Sequence, residues 1–264
     1  MKRTLKISNM INLHSLTFAY PHSPPLFQKF DWSVKHGEAW AVLGTSGCGK
    51  TTLLYLLAGL QHASDGQVLI NGTVLTRPRP RTGLILQDYG LLPWATVREN
   101  AELGLKVRNF YGADGIHTPQ DYRPEQDVTP WLERLGISKF ADKYPSQISG
   151  GQRQRTAIAR TLALQPDMLL MDEPFASLDA VIREDLQLLT LELCGESGIT
   201  LVIVTHNIEE AAAMGNKILL LGEPPNQQAR AFDNPTAGKP GHRESREFHL
   251  LCQTLRKELS HETA

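Results

Sequence analysis

The octapeptide Gly44 to Thr51 has the residue types and the spacing of a phosphate-binding loop. It fits the pattern of a glycine, any four residues and then Gly-Lys-Thr. The glycines allow successive backbone N–H groups to curl around an anion, while Lys50 can reach phosphate oxygens and the Thr51 hydroxyl can ligate Mg²⁺. The pattern indicates a nucleoside triphosphate, but kinases, GTPases, motors and transporters all use it.

Two predicted elements flank this phosphate loop and would position it. Ala39 to Leu43 is a continuous apolar run of strand length, and Thr52 to Leu60 has a helical pattern. A loop between a strand and a helix places the phosphates at a helix N-terminus, where the helix dipole favours anions. The context therefore favours a functional loop over a chance match.

Two carboxylates follow a second apolar strand. Met168 to Met171 is followed directly by Asp172 and Glu173. Ligands of open α/β sheets lie beyond the carboxyl ends of the strands. We therefore expect Asp172 to hold Mg²⁺ through its water shell and Glu173 to polarise an attacking water. The alternative is a solvated strand end, which the presence of the phosphate loop disfavours.

Two more polar residues follow predicted strands. His206 comes just after the apolar run Thr200 to Val204, where it could touch the γ-phosphate or orient the water. Gln87 ends the strand Thr82 to Leu86 and could reach Mg²⁺ or the water. Each signal is weak alone, because a lone histidine is more often structural.

A second glycine-rich segment, Ile148 to Gln152, precedes a helical pattern that runs to Leu164. It predicts a second anion site at a helix N-terminus. The alternative is an ordinary helix N-cap at Ser149. Two glycines at a helix start are unfavourable for helix stability, which argues against that alternative.

Composition indicates an ordinary globular protein. The 264 residues are 41% hydrophobic. The 27 basic and 28 acidic residues nearly balance, so the charge gives no indication of nucleic-acid binding. The three cysteines, Cys48, Cys194 and Cys252, are sparse and scattered, which suits a reducing compartment. The longest apolar stretches, such as Leu53 to Leu60, are too short to span a bilayer, and no signal peptide is predicted.

The remaining pattern predicts β structure first and helices later. Strand-like segments cover Ile11 to Phe18, Gln28 to Val34 and Asp65 to Gly72, and helical patterns run from Leu91 to about Leu164. Gly112 to Gln126 is predicted to be an exposed or disordered loop.

The C-terminal part of the sequence predicts a loop followed by a helix. Gly222 to Gly241 is rich in proline, glycine and asparagine and is predicted to be a loop. Apolar residues then recur at helical spacing, namely Phe248, Leu251, Cys252, Leu255 and Leu259.

In this order, the motifs resemble the nucleotide-binding subunit of an ATP-binding-cassette transporter, over about Ile11 to Leu221. The matching motifs are Walker A (Gly44–Thr51), the Q-loop (Gln87), the Leu-Ser-Gly-Gly-Gln signature (Ile148–Gln152), Walker B (Met168–Asp172), the catalytic base (Glu173), the D-loop (Ser177–Asp179) and the switch histidine (His206). Ile148 replaces the signature leucine and Asn207 replaces the usual aspartate after the histidine, and neither change removes a phosphate ligand.

The resemblance implies an α/β fold. Its parts would be a P-loop NTPase core with a mostly parallel sheet, an N-terminal antiparallel β subdomain and an inserted α-helical subdomain at about 91–164. The cassette domain would cover 11–221, and residues 222–264 would form a C-terminal loop and an amphipathic helix.

The resemblance also implies ATP and Mg²⁺ and a set of site residues. The implied nucleotide-binding residues are Tyr20, which would stack on adenine, Gly44, Thr45, Ser46, Gly47, Cys48, Gly49, Lys50, Thr51, Thr52, Ser149, Gly150, Gly151, Gln152 and Asp179. Thr51, Gln87 and Asp172 would ligate the metal, while Glu173, His206 and Gln87 would be catalytic. Two copies would pack head to tail, so that the signature of one acts on the ATP of the other.

A finer resemblance, carried by Gln87–Trp94 and Met171–Ala180, is to the nitrate/sulfonate/taurine importer branch, which also takes up pyrimidine and vitamin precursors and bicarbonate. It implies integral membrane permease subunits, a periplasmic or lipoprotein solute-binding protein and a peripheral location on the cytoplasmic face of the membrane. The membrane permease would dock on Leu91–Val97. The alternative is that these residues form a small core under the helical lobe.

The alternatives are a cassette ATPase of another importer class and a non-transport cassette ATPase. Repair and chromosome ATPases carry a long coiled coil between Walker A and the signature, and no heptads separate Thr51 from Ser149. Translation-associated relatives normally carry two cassettes in one chain. The transported solute does not follow from this sequence.

Overall fold

The computed structural model describes residues 9–124 and 127–261. The chain divides into two compact units. The first draws on residues up to Pro78 and from Leu191 onward, and the second comprises Arg79–Thr190. Across the described ranges, no helix combines the length and the apolar character needed to cross a membrane.

The strands are β1 (Asn9–Ala19), β2 (Pro25–Lys35), β3 (Ala39–Leu43), β4 (Asp65–Ile70), β5 (Thr73–Val74), β6 (Thr82–Ile85), β7 (Met168–Asp172), β8 (Thr200–Thr205), β9 (Lys217–Leu220) and β10 (Arg230–Asp233). The α-helices are α1 (Lys50–Ala58), α2 (Val97–Tyr111), α3 (Thr129–Arg134), α4 (Gly150–Leu162), α5 (Ala180–Glu196), α6 (Ile208–Met214) and α7 (Arg246–His261). Short 3₁₀ turns cover Ser138–Phe140 and Pro145–Gln147.

The first unit contains an antiparallel sheet in the order β2-β1-β4-β5. Leu13 of β1 lies opposite Trp32 on one side and Val68 on the other. Buried and exposed residues alternate from Phe30 to Lys35 in β2, as expected of a strand with one face on the core. The predicted N-terminal antiparallel β structure is confirmed.

The same unit contains parallel strands that carry the phosphate loop. β3 pairs in parallel with β8 and with β9, and β10 pairs antiparallel with β9. Every residue of β3 and β8 is buried, which explains why both strands are continuous apolar runs.

One prediction for the first unit is wrong. The segment Gly222–Gly241 is not loop throughout, because Arg230–Asp233 forms β10. Its residues are exposed or half-buried, as in a strand at the edge of a sheet, so they carry no apolar run to reveal it.

The second unit combines two parallel strands with helices. β6 pairs with β7, and α2 packs on α4. The limit between the units falls within α5. Residues 112–124 form no helix or strand, as predicted, while Glu125 and Gln126 lie outside the described residues.

The C-terminal helix α7 confirms its predicted pattern. Phe248, Cys252 and Leu255 are buried on one face. The helix packs on α6, and the Arg256 guanidinium donates to the Glu209 carboxylate over 2.8 Å. Residues from Leu191 onward therefore belong to the same compact unit as the phosphate loop.

Candidate nucleotide-binding site

The phosphate loop connects β3 to α1 in the first unit, as predicted. Gly49 is the N-cap of α1 and has a φ of 106°, a conformation that side chains with a Cβ rarely adopt. A Cβ at Gly44 would lie 2.6 Å from the carbonyl oxygen of Leu221. The helix begins at Lys50, slightly earlier than predicted, and so directly follows the curled backbone.

Lys50 lies inside this loop. Its side chain is 7% exposed, and Nζ donates to the carbonyl oxygens of Gly44 over 2.9 Å and of Thr45 over 2.8 Å. An ammonium has three N–H donors, so these two bonds leave it capacity for a further acceptor. Thr51 is exposed on the first turn of α1. The loop therefore concentrates one positive charge and a helix N-terminus at the same place.

Tyr20 lies close to the start of α1. Its hydroxyl is 3.2 Å from the Thr52 hydroxyl, and its ring meets the edge of Phe18 at a centroid distance of 5.0 Å. The side chain is 39% exposed. A partly exposed aromatic ring held beside the phosphate loop is compatible with the predicted adenine contact, which stays a prediction.

His206 follows β8 at the same edge of the sheet as the phosphate loop. Leu43 of β3 pairs with Thr205 of β8, so the two strands end side by side. His206 is exposed. The next residue, Asn207, caps α6 through its Oδ1, which accepts from Glu210 N over 3.0 Å. The asparagine therefore serves as an N-cap where the family usually has aspartate.

In the second unit, the two predicted carboxylates lie at the end of β7 and directly after it. Asp172 is 6% exposed at the end of the strand. Glu173 has a φ of 43°, in the left-handed region, where a non-glycine residue carries strain of about 1–3 kcal/mol. Such strain clusters at functional sites, which supports the catalytic interpretation of Glu173.

The residues after β6 form the Q-loop segment, Gln87–Gly90. Gln87 itself is exposed. Arg160 of α4 donates to the carbonyl oxygens of Tyr89 over 2.7 Å and of Gly90 over 2.6 Å. Burial lowers the pKa of the Arg160 guanidinium, and the Asp88 carboxylate opposes that shift. Sequence reasoning missed Arg160, because an arginine in a polar helix gives no local signal.

The glycine-rich segment Ile148–Gln152 begins α4, and Ser149 is its N-cap. Ser149 Oγ accepts from Gln152 N, and Gln152 Oε1 accepts from Ser149 N over 2.9 Å. The N-cap alternative is thus confirmed, because this capping box stabilises the helix start despite the low helix propensity of the two glycines. Gly151 is buried, and a Cβ there would lie 2.7 Å from Ile182 Cγ2, so close packing requires the glycine. The anion site at the same helix N-terminus is compatible with the cap and stays a prediction.

Asp179 also caps a helix. Its Oδ1 accepts from Ile182 N over 3.1 Å in the first turn of α5. Its contact with nucleotide stays a prediction.

The segment Leu91–Val97 is divided in its exposure. Ala95 and Val97 are buried, whereas Trp94 is 74% exposed. The Asn100 side chain holds the turn through the carbonyls of Leu92, Ala95 and Thr96. Part of the segment therefore packs into a small core, as the alternative predicted, whereas the Trp94 ring lies outside that core.

The proposed metal ligands have suitable chemistry. Thr51, Gln87 and Asp172 offer a hydroxyl, an amide and a carboxylate oxygen, and Mg²⁺ prefers oxygen ligands. Each residue taken singly therefore offers an oxygen that suits the ion, and their joint coordination of Mg²⁺ stays a prediction.

The strand, the glycine-rich loop with its buried lysine and the helix that follows define a phosphate-loop nucleotide-binding protein. The family model of the ABC transporter matches residues 27–176. This chain belongs to the ABC transporter family.

Known relatives agree with the finer resemblance. The chain is 34% identical over 236 residues to the aliphatic sulfonates import ATP-binding protein of Bacillus anthracis, covering 89% of both chains. It is 41% identical over 189 residues to the taurine import ATP-binding protein of Pseudomonas aeruginosa, covering 72% of this chain and 68% of that one.

The nitrate import ATP-binding protein of Synechococcus elongatus is 39% identical over 196 residues. That match covers 74% of this chain and 29% of the relative, so the chain spans less than a third of that protein's length.

Solved structures confirm the α/β cassette fold. The cbiO1 protein of Clostridium perfringens, part of an ABC transporter complex, gives a TM-score of 0.72 at 26% identity, covering 92% of this chain and 99% of that one. A dimeric ATP-binding cassette in a post-hydrolysis state with ADP and Pi gives 0.69 at 29% identity, covering 85% and 98%.

Proposed function

We propose that this chain is the ATP-hydrolysing subunit of a membrane importer for a small solute. The observation that carries the proposal is the geometry of the phosphate loop. Its backbone conformation and close contacts require glycines, and it holds the buried ammonium of Lys50. The names of the relatives, which are import ATP-binding proteins for sulfonates, taurine and nitrate, support the importer class.

In this proposal the phosphate loop binds the β- and γ-phosphates of ATP. The Lys50 ammonium exchanges its bonds to the Gly44 and Thr45 carbonyls for phosphate oxygens, which are stronger, charged acceptors. The Tyr20 ring stacks on adenine beside Thr52. Catalysis of phosphoryl transfer comes mostly from charge neutralisation and positioning. The phosphate loop and Lys50 would therefore contribute a large part of the rate enhancement.

Hydrolysis requires a positioned water. Glu173 acts as the general base, and His206 orients the water or the γ-phosphate. Thr51, Gln87 and Asp172 would hold Mg²⁺, which would neutralise part of the phosphate charge. The strained backbone of Glu173 and the place of His206 beside the phosphate loop support these roles.

The nucleotide site is completed by a second copy of the chain. Ser149, Gly150, Gly151 and Gln152 present the N-terminus of α4 to the ATP held by the partner copy, and Asp179 lies at the same interface. The Ser149–Gln152 capping box fixes that helix start in advance, which lowers the entropy lost on closure. The dimeric cassette with ADP and Pi supports this arrangement.

Closure of the two copies drives membrane permease subunits, because ATP binds the closed state more tightly than the open one. The permease docks on Leu91–Val97 around the exposed Trp94 at the cytoplasmic face of the membrane. A solute-binding protein delivers the solute, which is nitrate-, sulfonate- or taurine-like or a vitamin or pyrimidine precursor. The alternatives are an importer of another substrate class or a non-transport cassette ATPase.

The variant Glu173→Gln tests the enzymatic part. The amide keeps the size of the side chain but cannot accept a proton, so ATP turnover should fall by roughly 100-fold or more. ATP binding should persist, and an ATP-bound dimer should accumulate in size-exclusion chromatography. Glu184→Gln, at an exposed position of α5, is the control. Normal hydrolysis by Glu173→Gln in the reconstituted transporter would show that the assignment is wrong.

A further inference from the structure

Asn226, in the segment that follows β9, holds the phosphate loop. The residue is only 6% exposed. Its Nδ2 donates to the carbonyl oxygen of Cys48 over 3.0 Å and to that of Leu26 over 3.2 Å. Its Oδ1 accepts from Gly222 N over 2.9 Å. The side chain therefore joins β2, the phosphate loop and the C-terminal segment, all within the first unit.

The backbone of Asn226 is fixed as firmly as its side chain. Its N–H donates to Leu26 O over 2.9 Å, and its carbonyl accepts from Gln28 N over 3.0 Å. These two bonds form a bridge to Phe27. Leu221, earlier in the same segment, donates to Leu43 O at the end of β3 over 2.9 Å. The backbone of Asn226 is thus held in place by β2 while its side chain binds the Cys48 carbonyl.

The bond to Cys48 controls the direction of one peptide group. A trans peptide is planar, and its C=O and N–H point in opposite directions. Because the Cys48 carbonyl points to Asn226, the N–H of Gly49 points away from it. Gly49 is the N-cap of α1, and backbone N–H groups at such a glycine-rich helix start are the donors that bind phosphate.

We propose that Asn226 is a positioning residue for the phosphates of ATP, acting through the Cys48–Gly49 peptide. The inference rests on the proposed function, since it assumes that the phosphate loop binds ATP. It assigns to the segment after Leu221 a part in the nucleotide site. Asn226 does not itself contact the nucleotide.

Asn234 provides a matched comparison in the same segment. It is 4% exposed, and its Nδ2 donates to Ala212 O over 2.7 Å and to Gly215 O over 2.8 Å. Like Asn226, it is a buried amide with two bonds to main-chain carbonyls. Its partners lie at the end of α6 instead of in the phosphate loop. A merely structural role would make the two asparagines equivalent.

The experiment compares Asn226→Ala with Asn234→Ala in the full chain. Tm is measured by differential scanning fluorimetry, and the affinities for ATP, ADP and AMP by isothermal titration calorimetry. Both variants should lower Tm. Only Asn226→Ala should weaken ATP and ADP binding, by roughly tenfold, the effect of losing about one hydrogen bond. AMP binding should change little in either variant, because its single phosphate depends least on the loop that holds the β- and γ-phosphates.

Wild-type affinity for ATP in Asn226→Ala, or an equal loss in both variants, would overturn the inference alone. A wild-type chain that binds no ATP would overturn the proposed function and the inference with it. If Asn226→Ala does not fold, Asn226→Asp keeps the acceptor for Gly222 but cannot donate to Cys48. Its loss of ATP affinity should persist at high salt, where a purely electrostatic effect of the new charge would be screened.

Discussion

The hydroxyl groups of Tyr89 and Ser177 are 2.7 Å apart and share a hydrogen bond. Tyr89 lies in the Q-loop segment, is 6% exposed and has a φ of 68°. Ser177 lies in the turn between Glu173 and α5. The bond therefore ties the loop after β6 to the loop after β7 within the second unit.

A double-mutant cycle of Tyr89→Phe and Ser177→Ala measures this bond. Each single variant should lose about 1 kcal/mol of unfolding free energy in urea, because each removes the same neutral hydrogen bond. The double variant should be little worse than either single one, since the interaction is already lost. ATP turnover should fall by a similar factor in all three variants.

Tyr122→Phe is the control for this cycle. Its hydroxyl donates to Asn109 Oδ1 over 2.6 Å in the same unit, away from the Q-loop segment. Turnover in Tyr122→Phe should match the wild type. Fully additive losses for Tyr89 and Ser177 would contradict the proposed coupling.

The two signature glycines should differ in their response to alanine. A Cβ at Gly151 would lie 2.7 Å from the branched methyl group of Ile182, whereas a Cβ at Gly150 would lie 3.4 Å from Leu178 Cδ2, an ordinary contact. Gly151→Ala should therefore destabilise the chain by about 1–3 kcal/mol through overpacking. Gly150→Ala should not destabilise the chain, because the added Cβ has room and alanine favours the helix. Equal urea midpoints for the two variants would refute this account.

Tyr20 should contribute to nucleotide affinity through its ring. Tyr20→Ala should weaken ATP binding by roughly tenfold, since a base stacked on an aromatic ring gains about 1–3 kcal/mol. Tyr20→Phe removes the 3.2 Å contact with Thr52 but keeps the ring, and it should bind ATP almost normally. Calorimetric titration of both variants with ATP separates the two contributions. Equal affinities for the two variants would exclude stacking.

Trp94 should be needed for assembly with the permease and not for folding. The side chain is 74% exposed, so Trp94→Glu should leave Tm and nucleotide binding unchanged. Co-purification with the membrane subunits should be lost, because a charge replaces the apolar contact. Phe110→Glu is the control, as this ring is 83% exposed on α2 of the same unit. Normal transport by Trp94→Glu would contradict the docking proposal.

The sequence alone determined the parts of this protein that are encoded in short contiguous segments. Strand, loop and helix around Gly44–Thr51, the apolar run before Asp172 and the glycine-rich start of α4 each have a local pattern, because their backbone needs are local. The family and its fold followed from the order of those segments.

Only the tertiary structure decided which distant residues support these segments. Asn226 reaches Cys48 across 178 residues of sequence, and Tyr89 reaches Ser177 across 88. The sequence likewise did not predict the exposed strand β10 or the packing of Gly151 on Ile182. A buried amide or hydroxyl carries no periodic signal, since its partner is chosen by how the chain packs and not by its neighbours along the sequence.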